Sequence, residues 1–483
     1  MNFKLTKNTS FSRDKSVMIG ITCYFITILL VAILTPGTCD SGDSITHFLF
    51  SKYAFQHPGN FLNHWAKPLF VLMSAPFAAF GFVGIKLFNC CVAVLTVWFT
   101  YKIATKLNYE YAWLAALFLC FTPGFFIHIF SGLTEPLFSL IVILGIYLIL
   151  SNRFWPAVCI ISFLPFVRSE GIIIIGVFAF YLIFNKQYIY LWGLLFGHLV
   201  YSFAGFFHYQ DLLWVFTKIP YAASSGKYGN GNLSHFVIQL NYIIGIPLYI
   251  LLGVGSIKRI IDLFKIKKKN IINSQFDHET ILIFGCFLSF FLAHTLFWYW
   301  GLFESMGLKR VLICIVPLGI LIALKGFNFI LGIFNSTTIG YAIAGFLFAG
   351  FVVVFPFVPN PAAVNWQRDL SLTVDQELIT EVVQFIQNDT EKQHTSIYYS
   401  HPYISILMNR DPFDKKNNPE MSDLYVTKRP AHYLTIWDNW FSVIENGVLL
   451  DQLENDSKLK QLKSFRANDR GREIHVVVFE GIH

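Results

Sequence analysis

Residues 17–34 read VMIGITCYFITILLVAIL, an apolar run that contains no charged side chain. A helix needs about 20 such residues to cross the hydrocarbon core of a bilayer, which is roughly 30 Å thick. The next residues, Pro36-Gly-Thr-Cys-Asp40, show no small-x-small cleavage pattern. We therefore expect residues 17–34 to be retained as a first membrane helix and not removed as a signal peptide.

Similar apolar runs recur along most of the chain. Only 13% of its 483 residues are charged, whereas soluble proteins carry roughly 25%. This composition excludes an ordinary soluble enzyme and predicts an α-helical polytopic membrane protein with about eleven transmembrane helices. The predicted spans are 17–35, 82–104, 111–127, 134–151, 154–167, 170–184, 188–208, 237–256, 280–300, 310–325 and 337–357.

The distribution of basic residues predicts the orientation. Lysines and arginines are most frequent around residues 4–15 and 258–269, and the positive-inside rule places such segments in the cytoplasm. Because these residues flank apolar runs, the net charge of +7 does not indicate nucleic-acid binding. We expect a multi-pass protein of a bacterial inner membrane with a cytoplasmic N-terminus.

The last part of the chain differs from the rest. Residues 358–483 are charged and contain alternating runs at 396–400 and 475–479, together with a helical pattern at 375–387. They predict a small α/β domain that follows a membrane domain of residues 1–357. An odd number of spans places this domain on the extracytoplasmic side.

Two carboxylates, Asp40 and Asp43, follow the first span directly. One interpretation is that Asp43 or Ser44 only caps the next helix, which has an apolar face opposite His47 and is expected to lie on the membrane surface. The other is that one aspartate accepts a proton or binds a cation, and two such oxygens could take part in a Mg²⁺ or Mn²⁺ site without completing it.

Further polar residues lie in the loops that are predicted to share this face. His64 and Lys67 could contact an anionic headgroup, or Lys67 could serve as an interfacial anchor. Glu135 could interact only with the dipole of a helix for which Thr134 is a plausible N-cap, or it could belong to a site that the preceding Gly132 leaves open.

The most informative pair is Arg168 and Glu170, because ionisable groups between two short apolar runs are costly and usually functional. They could form only a mutual ion pair, or Arg168 could bind a phosphate through two parallel hydrogen bonds. Near residue 304 the sequence places Glu304, Lys309 and Arg310 just before an apolar helix. Basic residues on this face either are topological exceptions or bind an anion.

The order of these elements resembles the GT-C superfamily of membrane glycosyltransferases that use polyprenyl-phosphate-linked sugars, which includes the protein O-mannosyltransferases. The resemblance covers about residues 17–357. It rests on the acidic first loop, His57-Pro to Lys67-Pro, Thr134-Glu-Pro, Arg168-Ser-Glu-Gly and Gly307-Leu-Lys-Arg. The Asp-Glu dipeptide frequent in the family is replaced by Asp40-Ser-Gly-Asp43, so either aspartate could be the base.

The resemblance implies a GT-C-like fold and transfer of a hexose such as mannose, with inversion, to an acceptor hydroxyl on a glycan, lipid or protein. It implies Asp40 or Asp43 as catalytic base and no cofactor beyond an optional divalent cation. It also implies a site for the donor phosphate that is formed by Lys67, Arg168, Lys309 and Arg310. The rest of the substrate site would consist of His64, Glu135, Glu170 and Glu304. Tyr399-Ser-His-Pro-Tyr and Trp437-Asp-Asn-Trp could hold the acceptor or belong to a core.

Three alternatives remain at this stage. A transporter or flippase of lipid-linked sugars would place ionisable residues near mid-membrane and would show internal repeats, and we find no convincing repeat. A glycan ligase or polymerase would share the chemistry of this face. A non-catalytic membrane scaffold would not explain why Asp, Arg and Glu residues occur together in the loops on the outer face.

Overall fold

The computed structural model describes residues 7–222, 224–267, 278–334, 337–350, 357, 360, 362–388 and 396–481. The basic residues Lys4, Lys268 and Lys269 and the last part of the predicted span 337–357 lie outside these ranges. The predicted division between residues 357 and 358 also falls there, so it stays a prediction.

Within these ranges, five helices are long and apolar enough to cross a membrane. They are Asp14–Leu34, Phe82–Lys106, Tyr188–Tyr209, His278–Trp300 and Lys309–Ile333. A sixth span is formed if the pair His235–Ile244 and Ile246–Phe264, which is bent by 120°, counts as one. Each of these six segments matches a predicted span.

The other predicted spans correspond to shorter helices. By length, the described part of the chain therefore supports five or six spans, and the number of about eleven stays a prediction. The span 111–127 is broken into Trp113–Cys120 and Pro123–His128, because Pro123 begins a new helix after the turn at Phe121. Spans 134–151, 154–167 and 170–184 correspond to apolar helices of 10–17 residues. Another such helix, Pro68–Ala78, lies where the sequence predicts a loop.

We number the helices and strands in chain order. The membrane part holds α1 (Lys7–Leu34), α2 (Asp43–Lys52), α3 (Pro68–Ala78), α4 (Phe82–Lys106), α5 (Trp113–Cys120), α6 (Pro123–His128), α7 (Glu135–Leu150), α8 (Phe154–Ile161), α9 (Gly171–Phe184), α10 (Phe196–Tyr209), α11 (Trp214–Thr217), α12 (His235–Ile244), α13 (Ile246–Lys267), α14 (Cys286–Trp300), α15 (Val316–Phe334) and α16 (Thr337–Ala349). The 3₁₀ helices Pro58–Leu62, Leu164–Phe166, Tyr188–Leu195 and Lys309–Ile315 and the π-helix His278–Gly285 connect them.

The helix at the centre of the membrane part is Lys309–Ile333. In its most apolar stretch 89% of the residues are buried inside the protein, whereas the corresponding share in Asp14–Leu34 is 22%. The central helix packs along α13 at very short range. A Cβ added to Gly255 would lie 2.0 Å from the carbonyl oxygen of Ile322, and one added to Gly326 would lie 2.1 Å from that of Leu251. These glycines let the two backbones approach, as small residues do between membrane helices.

The C-terminal part is a small α/β unit, as predicted. It holds α17 (Trp366–Asp369), α18 (Val374–Gln387), β1 (Ser396–Tyr399), α19 (Pro402–Leu407), the 3₁₀ helix Met421–Tyr425, β2 (Tyr433–Asp438), the π-helix Phe441–Glu445, α20 (Leu450–Glu454), β3 (Leu459–Asp469) and β4 (Arg472–Gly481). The strand order is β1-β2-β4-β3, with β1 parallel to β2 and the other pairs antiparallel. Thr373 and Gln376 form a capping box at the start of α18.

This C-terminal unit packs directly on the loop that follows α1. The loop and the start of α18 are joined by the hydrogen bonds Gly37 N to Leu370 O (3.0 Å), Gln376 Nε2 to Thr38 Oγ1 (2.7 Å) and Ser41 Oγ to Thr373 Oγ1 (2.8 Å). A second contact joins α2 and the following turn to residues 409–413, through Lys52 Nζ to Asn409 Oδ1 (2.9 Å) and His57 Nε2 to Asp411 Oδ2 (2.7 Å). The loop that carries Asp40 and Asp43 is therefore held from both sides.

Candidate active site

Asp40 lies in the loop before α2, and the way this helix starts differs from the prediction that Asp43 or Ser44 caps it. Neither Asp43 nor Ser44 caps α2, since Gly42 is the N-cap and makes no side-chain cap. Instead Asp40 Oδ1 accepts hydrogen bonds from Gly42 N (2.9 Å) and Ser44 N (3.0 Å). Asp40 thus satisfies the first donors of the helix, while its other oxygen faces the site.

The two aspartates differ in acidity. Burial raises the pKa of Asp40, the guanidinium of Arg310 opposes this effect, and the neighbouring charge of Asp43 raises the pKa further. Burial also acts to raise the pKa of Asp43, but the charge of Arg310 outweighs it, so that this pKa is lowered. Environments that separate the pKa values of two carboxylates commonly assign them different roles.

Arg310 joins the aspartates to the membrane helices. It lies at the start of the central helix Lys309–Ile333, and its two Nη atoms contact Asp40 Oδ2 and Asp43 Oδ2 respectively. Its Nε lies 3.6 Å from Oε1 of Glu135. The guanidinium side chain is only 15% exposed, so it is held between three carboxylates in a largely desolvated position.

Glu135 occupies the centre of this network, with no exposed side-chain surface. Its Oε1 lies 2.8 Å from Nη1 of Arg168. The preceding loop packs tightly against α2, because a Cβ on Gly132 would lie 2.2 Å from the carbonyl oxygen of Ser44. Only glycine fits at that position, and its contact brings the loop before α7 next to the start of α2.

Arg168 extends the network toward Glu170. Its Nη2 lies 3.0 Å from Glu170 Oε1, and its Nη1 donates to Thr134 Oγ1 at 3.4 Å. Thr134 is the N-cap residue of α7, as predicted, but its side chain makes no capping hydrogen bond and contacts Arg168 instead. Arg168 and Glu170 form the ion pair that the sequence suggested. Arg168 also pairs with Glu135, so it belongs to a larger network in which positive and negative side chains alternate.

Lys67 lies at the far end of this network. Its Nζ donates to Ser169 Oγ at 3.0 Å, next to both Arg168 and Glu170 in sequence. Its backbone has φ 68°, a left-handed conformation that costs about 1–3 kcal/mol in a residue other than glycine. Burial lowers the pKa of Lys67 to about 8, although the carboxylate of Glu170 acts in the opposite direction.

Three predicted site residues lie apart from the network. His64 is buried and its Nε2 lies 3.0 Å from the carbonyl oxygen of Val215. Lys309 lines the same cavity as Arg310, but its Nζ donates to the carbonyl oxygen of Ala362 at 2.7 Å. Glu304 Oε2 accepts a hydrogen bond from the backbone N of Lys227 at 3.0 Å. The roles predicted for these three residues stay predictions.

Two histidines of the site were missed from the sequence. Nε2 of His294, on α14, lies 3.8 Å from Glu170 Oε1 in a buried position. A histidine inside an apolar span is itself a signal of function. His47 was assigned to the polar face of α2, but it is 7% exposed and stacks on Trp65 with ring centroids 4.9 Å apart. The helix α3, which the sequence did not predict, packs on α2 and helps to bury it.

A cavity of about 930 Å³ opens between the network and the C-terminal unit. We call it the central cavity. Asp40, Asp43 and Arg310 line its membrane side, together with Trp65 and Tyr221. The opposite wall is formed by residues of the C-terminal unit, including His401, Asp438, Trp440, Phe441 and Arg472. A cavity of this size is at the upper end of the range for small-molecule sites, about 300–1,000 Å³.

The aspartates do not by themselves make a cation site. Both carboxylates face Arg310, which contacts one oxygen of each, and the other oxygen of Asp40 accepts two backbone hydrogen bonds. In the described part of the chain, no group of three or more His, Cys, Asp or Glu residues is placed to hold a metal ion. The Mg²⁺ or Mn²⁺ ion considered from the sequence therefore does not fit this arrangement.

Two solved structures resemble the whole chain. ArnT from Cupriavidus metallidurans bound to undecaprenyl phosphate has a TM-score of 0.59 at 10% identity, over 95% of this chain and 97% of that chain. ArnT from the same organism in the apo state has a TM-score of 0.60 at 10% identity, over 96% and 98%. No family model matches the sequence, and no curated protein matches it at a significant level.

A likeness at 10% identity establishes the fold. It extends over both the membrane helices and the C-terminal unit, and together with the long apolar helices it makes the chain an integral membrane protein. At the level of the fold, the structure agrees with the resemblance noted in the sequence: the chain has the fold of the two ArnT structures.

Proposed function

We propose that the chain is a glycosyltransferase that moves a sugar from a polyprenyl-phosphate donor to an acceptor hydroxyl with inversion. One observation carries the proposal: Arg310 links two aspartates at the cavity to the buried Glu135–Arg168 pair. The fold gives independent support, because an ArnT structure with the same architecture is bound to undecaprenyl phosphate.

The cations of the network supply a site for the donor phosphate. Arg168, Arg310 and Lys67 surround Glu135 and Glu170, which keep the positive charges close together when no anion is bound. A guanidinium binds phosphate oxygens through two parallel hydrogen bonds. A phosphate that enters would replace part of the carboxylate contacts. The three cations would then stabilise the negative charge that develops on this phosphate as it leaves the sugar.

Asp40 is the better candidate for the base. Its pKa is raised while that of Asp43 is lowered, so Asp40 binds a proton more readily near neutral pH. In the proposed step the acceptor O–H proton moves to Asp40 and the acceptor oxygen forms a bond to the anomeric carbon. The bond from that carbon to the phosphate oxygen breaks, and its electron pair leaves with the polyprenyl phosphate.

The location of the reaction follows from the predicted orientation. We infer that the site and residues 358–483 face the extracytoplasmic side of a bacterial inner membrane. There the donor reaches the network from the bilayer and the acceptor enters the central cavity from water. Mannose or another hexose stays the prediction for the transferred sugar.

The test is transfer from radiolabelled polyprenyl-phosphate mannose by purified protein in nanodiscs, with oligosaccharide, peptide and lipid acceptors. We expect product with the wild type and a loss of about 10²–10⁴-fold in kcat with Asp40→Asn, which removes the base. Arg168→Ala should raise the KM for the donor. Arg466→Ala is the matched control, because Arg466 is 63% exposed and pairs with the surface residue Glu473.

Two results would contradict the proposal. Unchanged transfer by both Asp40→Asn and Arg168→Ala would remove the site. Donor that crosses the bilayer intact, without a product on any acceptor, would indicate a transporter of lipid-linked sugars instead.

A further inference from the structure

The aromatic ring of Phe441 lies directly beside the loop between the two aspartates. A Cβ built on Gly42 would lie 3.5 Å from Cε1 and 3.6 Å from Cζ of Phe441, and 4.0 Å from Oδ1 of Asp40. Phe441 belongs to the C-terminal unit, roughly 400 residues further along the chain. It is partly exposed and lines the central cavity. The ring of Phe441 therefore borders both the loop of the candidate base and the central cavity.

The chain holds this ring in place through a buried carboxylate. Asp438, at the end of β2, accepts hydrogen bonds from the backbone N of Trp440 (3.0 Å) and of Phe441 (2.5 Å), and from Ser442 Oγ (3.1 Å). The edge of His401 packs against Phe441 with ring centroids 4.7 Å apart. The turn that presents Phe441 is therefore rigid before any ligand binds.

A second aromatic ring extends the same wall. Trp440 is partly exposed toward the cavity, and the guanidinium of Arg472 lies 4.3 Å from the centroid of its ring. By contrast, Trp437 is 4% exposed and donates to the carbonyl oxygen of Val448, so it belongs to the core of the unit. Of the two tryptophans in Trp437-Asp-Asn-Trp440, only Trp440 therefore lines the cavity.

The other cavity-lining side chains near these rings can form hydrogen bonds. Ser400, Asn446 and Glu445 line the cavity near Phe441, and Tyr228 lines it from the membrane part. A wall that combines aromatic faces with amide, hydroxyl and carboxylate groups suits a ligand with apolar C–H faces and hydroxyl edges. A sugar ring has both features, and aromatic side chains supply a large apolar contact together with a preferred geometry.

From this arrangement we propose that the acceptor is a carbohydrate whose terminal sugar ring lies on Phe441, with Trp440 in contact with the next residue of the glycan. The inference rests on the proposed function and specifies its acceptor class. Phe441 sets the distance between the attacking hydroxyl and Asp40. Proximity and orientation of this kind contribute strongly to the rate of a group transfer.

The experiment uses the full chain in nanodiscs, with labelled mannobiose, chitobiose and galactobiose as probes. A serine- and threonine-containing peptide is the competing acceptor. We expect Phe441→Ala to raise the KM for the best disaccharide about tenfold, the value of one aromatic contact, with the donor KM unchanged. Phe441→Tyr should restore the wild-type KM, whereas Phe441→Leu, which keeps an apolar side chain and protects the fold, should not.

Tyr425→Ala is the control, because Tyr425 is 47% exposed on the C-terminal unit and does not line the cavity. Transfer to the peptide and to no disaccharide would overturn the inference, and so would equal changes in donor and acceptor KM in Phe441→Ala.

Binding of the disaccharides is measured separately by saturation-transfer NMR. Phe441-dependent binding without transfer would support the glycan site and reject the proposed function. No binding to any disaccharide would reject the glycan site.

Discussion

Oε1 of Glu135 lies 2.8 Å from Nη1 of Arg168, in a position where the glutamate side chain has no exposed surface. Glu135→Ala removes one of the two carboxylates that pair with the buried Arg168, and it should lower the free energy of unfolding by about 1–3 kcal/mol. Thermal unfolding in detergent measures the change. Glu473→Ala, which breaks a surface pair with Arg466, should cost at most about 1 kcal/mol. Equal effects of the two substitutions would contradict a buried network.

The acid limb of the pH profile should depend on Asp43. The raised pKa of Asp40 means that kcat/KM falls as pH decreases through a value above that of an ordinary aspartate, since the base must be deprotonated. Asp43→Asn removes a neighbouring negative charge that raises this pKa, so the acid limb should move to lower pH. Asp451→Asn, on the exposed face of α20, should leave it unchanged. A shift to higher pH in Asp43→Asn would exclude Asp40 as the base.

The basic limb should depend on Lys67. With a pKa of about 8, the free enzyme loses this positive charge as pH rises through that value, so kcat/KM for the donor should fall above pH 8. Lys67→Arg keeps the charge and should abolish this limb. Initial rates at subsaturating donor between pH 6 and 10 measure both profiles. An identical basic limb in the two proteins would show that Lys67 does not bind the donor phosphate.

Gly132 should tolerate no side chain. A Cβ at this position would lie 2.2 Å from a backbone oxygen, which cannot move without shifting α2, so Gly132→Ala should destabilise the protein by about 1–3 kcal/mol. It should also reduce kcat, because the contact holds the loop before Glu135 against the start of α2, which carries Asp43. Gly176→Ala is the matched control, since no atom lies within 4 Å of an added Cβ there. Wild-type stability in Gly132→Ala would show that the loop adapts.

The sequence predicted the site best at residues whose charge is energetically unfavourable in a membrane. Charged residues beside apolar runs, such as Arg168 and Arg310, are expensive in a membrane, and the structure brings these two together with Asp40, Asp43, Glu135 and Glu170. Alternating patterns predicted β1 and β4, and the helical pattern at 375–387 predicted α18. These features depend on local spacing, which can be read from one sequence.

Features that depend on distant contacts could not be predicted. His47 carries a polar side chain on a short helix, and its burial results from packing against Trp65 and α3. The end-capping role of Asp40 depends on the loop conformation that α18 helps to hold. Phe441 and Gly42 are adjacent only because residues 37–41 bind the start of α18, and no spacing rule links positions so far apart.

Two hydrogen bonds connect the loop after α1 to the start of α18: Gln376 donates to Thr38, and Ser41 pairs with Thr373. They limit where the chain can be cut without disturbing the site. The membrane helices, expressed without residues 358–483, would lose the support of the loop that carries the two aspartates. The C-terminal unit forms one wall of the central cavity. If the proposed function is correct, removing this unit would leave the predicted phosphate site without a base in position.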